Sequence, residues 1–99
     1  MEKLIIECEK RKINNGEIGN IWNIKNYNIT VAVIHFKNAN KPCGYTINTS
    51  HNNKDFGNLY DLVGSLVIEL SAQFGKIEIK DNKGYPIELL ACFEDEIIA

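Results

Sequence analysis

Leu59, Leu62, Val63, Leu66, Val67, Leu70 and Phe74 recur at helical spacing and form one apolar stripe, the feature that most restricts what this chain can fold into. Both ends of the helix are signalled. Asn58 is a natural N-cap, Asp61 places a negative charge in the first turn where it meets the helix dipole, and Gly75 supplies a left-handed stop. A helix with one apolar side needs a surface to cover. The rest of the chain reads with a period of two, so that surface is a sheet. Gly64 and Ser65 interrupt the good helix formers at a cost of about 1 kcal/mol relative to alanine, which suggests close approach by a strand or a partner.

The strands follow from alternation and from turn residues. Lys3 to Glu9 alternates Leu4, Ile6 and Cys8 with Lys3, Ile5, Glu7 and Glu9, the pattern of a strand with one buried face. Asn14-Asn15-Gly16 tolerates the positive φ of a tight turn, and Ile18, Trp22 and Ile24 then alternate along a second strand over Glu17 to Lys25. Ile29 to Lys37 is β-branched and apolar on both faces, as a central strand requires. Asn38-Ala39-Asn40-Lys41-Pro42 turns the chain into a strand over Gly44 to Thr49, where Tyr45, Ile47 and Thr49 share a face, and Ser50 to Asp55 reads as a polar loop. After the helix, Lys76 to Lys80 and Pro86 to Glu94 read as two strands joined by a turn at Asp81-Asn82-Lys83-Gly84. In the last of these Ile87, Leu89, Ala91 and Phe93 would share one face, with Leu90 and Cys92 on the other. The expected architecture is α+β, a single helix on a mostly antiparallel curved sheet in the order β-β-β-β-α-β-β, in one domain spanning residues 1–99.

Composition limits function chiefly by exclusion. With 99 residues, 44% hydrophobic and 24% charged, the chain has enough apolar surface to fold without disulfides or metal. A net charge of −2 provides no footprint for gripping phosphates. Lys10-Arg11-Lys12 is the one basic cluster, and the nucleic-acid alternative would set it beside Lys25 and Trp22, with Tyr27, Tyr45, Tyr60 and Tyr85 as further stacking surfaces. One basic triplet gives few phosphate contacts, so this is the weaker reading.

Cys8, Cys43 and Cys92 are odd in number and form no CxxC pair, so free and mostly buried thiols in a reducing compartment are expected. His35, Cys43 and His51 are eight residues apart, whereas zinc ligands usually sit two to five apart in sequence, even with Cys8 or Cys92 as a fourth. A Cys43 nucleophile with His35 or His51 as base lacks a nucleophile elbow and a third orienting group. The cysteine/histidine enzyme is therefore an alternative rather than the expectation. No phosphate-binding glycine loop, zinc-protease motif or paired-carboxylate motif is present, and no cofactor is expected.

What remains is binding to another protein. Exposed Tyr60 and Tyr85 would suit an interface, and Glu94, Asp95 and Glu96 beside Ile97 and Ile98 form an acidic, apolar end fit for a basic partner. Heavy use of Asn, Ile and Lys reads as AT-rich coding, which points to a low-GC bacterium or a phage or plasmid within one. The chain begins without the apolar region of a secretion signal and has no eighteen-residue apolar run, so the cytoplasm of a bacterial host is expected and no membrane partner. The functional expectation is a small non-enzymatic accessory protein, an inhibitor of a host defence nuclease in the manner of an anti-CRISPR. Apolar edges on the first and last strands would also allow a homodimer.

Overall fold

The computed structural model describes residues 1–12, 18–36, 42–48, 50–52 and 56–92. Strands β1 (Glu2–Lys12), β2 (Ile18–Asn26), β3 (Ile29–Phe36), β4 (Pro42–Ile47) and β5 (Ser50–Asn52) precede helix α1 (Leu59–Phe74), which is followed by β6 (Ile77–Asp81) and a short helix α2 (Ile87–Cys92). The strands form one six-stranded sheet in the order β5-β4-β3-β2-β1-β6. Neighbours from β1 to β5 are antiparallel and β6 joins β1 in parallel, so the class is α+β with a mostly antiparallel sheet.

This order makes α1 a crossover. It leaves the β5 edge and delivers the chain to the β6 edge, packing on one face of the sheet with contacts to β4 and β6. Sixteen residues span about 24 Å at 1.5 Å per residue, and five strand spacings of about 4.8 Å cover the same distance. Asn58 caps the start as expected, its side chain accepting from the Asp61 N–H at 2.8 Å. Gly75 closes the end with φ 78, its N–H donating to the Ser71 carbonyl at 2.8 Å.

Register explains which side chains lie beneath the helix. Ile6, Ile24, Ala32 and Ile47 stand in one cross-strand row, and Trp22, Ile34 and Tyr45 in the next. All seven are buried, together with Leu4, Phe36, Ile79 and the helix residues Leu59, Leu62, Val63, Leu66 and Leu70. Trp22 meets Phe36 edge to face at 5.7 Å, and Tyr45 stacks on Phe56 at 6.1 Å. No charged or polar residue is buried among the described residues, and the core is held mainly by apolar area and ring contacts.

Four expectations are corrected. Pro86–Glu94 is not a strand: residues 87–92 form α2, with Ile87, Leu90 and Ala91 buried at helical spacing and Leu89 turned outward, while residues 93 and 94 lie outside the described residues. Pro86 permits this because it lacks an N–H to lose and its carbonyl accepts from Leu89 and Leu90 at 3.0 and 3.1 Å. The segment expected as a loop from Ser50 begins with β5, which pairs with β4 from Ile47↔Ser50 to Tyr45↔Asn52. The first strand is not an edge, because β6 pairs with it in parallel from Glu2↔Ile77 to Ile6↔Asp81. Cys8 and Cys92 are exposed rather than buried. The turns expected at residues 14–16 and 38–41, and the side chain of Cys43, lie outside the described residues.

Candidate docking face on the two helices

The sheet has a second face, on which four pairs of polar side chains engage one another. Lys25 pairs with Glu7 at 2.9 Å, Asn23 donates to Glu9 at 2.9 Å and Glu78 pairs with Lys80 at 2.9 Å. His35 Nε2 lies 2.8 Å from Thr46 Oγ1. Hydrogen bonding to Lys80 and then its positive charge hold the Glu78 carboxyl below its ordinary range. Three of these pairs cross between neighbouring strands, and Glu78–Lys80 lies within β6.

The outward side of the helices differs in character. Tyr60, Gly64 and Ile68 follow one another at four-residue spacing along α1, with Tyr60 64% and Ile68 73% exposed. A Cβ built on Gly64 would meet nothing within 4 Å among the described residues. Beside this row, α2 packs against α1 and leaves a groove of about 230 Å³ lined by Tyr60, Val63, Gly64, Val67, Glu88 and Ala91. Five of the six lining residues are uncharged and the sixth is a carboxylate. Drug-sized ligands and cofactors usually fill pockets of roughly 300–1,000 Å³, so the groove matches a single large side chain better than a metabolite.

Charge is one-sided here. Asp61 and Glu69 on α1 and Glu88 on α2 are the charged residues of the two helices, and neither helix carries Lys or Arg. The acidic run Glu94-Asp95-Glu96 follows α2 directly in the sequence but lies outside the described residues.

The residues singled out from the sequence separate accordingly. Tyr60 forms one wall of the groove, and Tyr85, half-exposed, sits in the turn that leads into α2. Trp22 is 2% exposed beneath α1 and cannot stack on a base, which corrects its place in the nucleic-acid alternative. Tyr45 is equally buried, Tyr27 projects from the β2–β3 turn, and Lys25 is engaged by Glu7. The aromatic residues therefore share no open face. Lys10, Arg11 and Lys12 end β1, with side chains outside the described residues. So are the side chains of Cys43 and His51, and no group of three metal-ligating side chains occurs among the described residues. Partial covering of the thiol, and then the Asp81 carboxylate, push the Cys8 pKa above the ordinary thiol value, the opposite of what an activated nucleophile needs.

Sequence reading missed Val67, Ala91 and Glu88 as groove-lining residues and Ile68 as an exposed one. Gly64 was the available signal, but the second wall of the groove was concealed by the assignment of α2 as a strand. The fold defines an α+β protein with one sheet face covered by a crossover helix and an apolar groove on that helix's outer side. No family model, no curated protein and no solved structure matches the chain. No helix among the described residues is long and apolar enough to cross a membrane.

Proposed function

We propose that this chain is a small non-enzymatic accessory protein that acts by binding another protein, in the bacterial cytoplasm, as an inhibitor of a host defence enzyme encoded by a phage or mobile element. The observation that carries the binding role is the apolar groove on the outer side of α1, where Tyr60 and Ile68 stay exposed beside Val67 and Ala91. Aromatic and aliphatic side chains left at the surface beside a concavity are the usual anchors of a protein interface. The inhibitor role rests on the AT-rich composition and small size of the chain.

Two features favour a protein partner over nucleic acid. Trp22 is committed to the core, and two of the lysines on the open sheet face, Lys25 and Lys80, are paired with Glu7 and Glu78. A different protein is favoured over a second copy, because self-association through the helices brings Asp61, Glu69 and Glu88 toward their own counterparts.

The test is retention of partners by the tagged protein from lysate of a low-GC bacterium at about 150 mM salt, where loose surface charge is already screened. One protein retained after nuclease treatment supports the reading and names the target. Loss of every partner on nuclease treatment transfers the assignment to nucleic acid, and a column empty in both cases contradicts the proposal.

A further inference from the structure

Gly64 is the starting point. Glycine inside a helix is about 1 kcal/mol worse than alanine, and that cost is normally explained by something packed against it. Among the described residues nothing comes within 4 Å of the missing Cβ, so their packing does not require the glycine. The space it leaves opens into the groove formed by Tyr60, Val63, Val67 and Ala91.

We infer that this groove receives a cationic amphipathic segment of the partner, with one large apolar side chain seated over Gly64 and flanking Lys or Arg side chains reaching Glu88 and Asp61. The inference rests on the protein-binding reading and specifies the chemistry of the partner. Charge decides between occupants. Glu88 lines the groove and Asp61 stands in the first turn of α1, with no cation on either helix, so an acidic segment or a second copy of these helices is repelled. A neutral apolar helix would seat its anchor and leave the Glu88 carboxylate unused. A basic one satisfies both, the arrangement by which amphipathic helices settle into apolar grooves.

The experiment is a titration, followed by fluorescence anisotropy, with three synthetic peptides. One carries Leu and Lys with Leu at helical spacing, one has every Lys replaced by Glu, and one is a scramble of the first that keeps its charge and loses its stripe. The full chain is expected to bind the striped Leu/Lys peptide at least about tenfold more tightly than either of the others, a difference of about 1.4 kcal/mol. Gly64→Leu fills the groove and is expected to remove that preference while thermal unfolding stays cooperative. Glu88→Lys, at an exposed site, is expected to weaken binding to a similar extent and serves as an independent variant should Gly64→Leu fold poorly. Equal binding of the striped and scrambled peptides, or undiminished binding by both variants, overturns the inference. If the lysate partner is also retained equally by wild type and Glu88→Lys, the groove assignment falls and protein binding stands; if no protein is retained, both fall.

Discussion

The Tyr45 hydroxyl lies 2.8 Å from Ser65 Oγ, joining β4 to the middle of α1 through the core. Tyr45 is 1% exposed, so this bond forms away from bulk water. This gives Ser65 a reason to stand within a helix. Tyr45→Phe is expected to cost about 1 kcal/mol, and a double-mutant cycle with Ser65→Ala to show a coupling of about 0.5–1.5 kcal/mol in urea unfolding. Strict additivity of the two single changes would mean that the pair does not interact.

Trp22 is the chain's one tryptophan, which makes its environment directly measurable. Packed under α1 against Phe36, it should emit at short wavelength and resist acrylamide quenching until the protein unfolds. Trp22→Ala is expected to cost about 3–5 kcal/mol, the range for emptying an aromatic core site. Efficient quenching in the folded protein would return Trp22 to the surface and restore the nucleic-acid alternative.

Much of the fold was legible because several signals agreed on the same residues. For α1 the apolar stripe, the Asn58 cap and the Gly75 stop coincide, and the structure places the helix at Leu59–Phe74. For α2 the signals conflicted. Ile87, Leu89 and Ala91 satisfy alternation, while Ile87, Leu90 and Ala91 satisfy helical spacing, and six residues are too few for periodicity to decide. The parallel pairing of β6 with β1 was not legible for another reason: it depends on where α1 returns the chain, which local pattern does not record. The candidate site inherited both omissions. Tyr60 was identified, but the wall supplied by Glu88 and Ala91 depends on α2 being a helix packed on α1.

Gly64 connects stability with binding. Since no described residue meets its Cβ position, Gly64→Ala should raise unfolding free energy by about 0.5–1 kcal/mol through helix propensity alone. Chemical denaturation of the purified domain measures this. A destabilised Gly64→Ala would show that the glycine serves the fold, and the space beside it would lose its functional meaning.

Cys8 provides a pH-dependent check. Its folded pKa is raised, first by partial covering of the thiol and then by Asp81, so the folded state favours the neutral thiol. The associated stability is present below the ordinary thiol pKa and is lost as pH rises through the raised folded value. Cys8→Ser should therefore lose less stability than wild type between neutral pH and the alkaline range. Slow alkylation of Cys8 near neutral pH, compared with the unfolded chain, is the matching expectation. Fast, selective labelling of Cys8 in the folded protein would contradict the assigned environment.

The most direct test of the account is a comparison of wild type with Glu88→Lys for retention of a nuclease-resistant partner at matched protein concentration. The account predicts that the same protein binds wild type and is lost, or retained at least about tenfold more weakly, when the groove carboxylate becomes a cation. Equal retention by both forms would contradict it and place the interface elsewhere on the molecule.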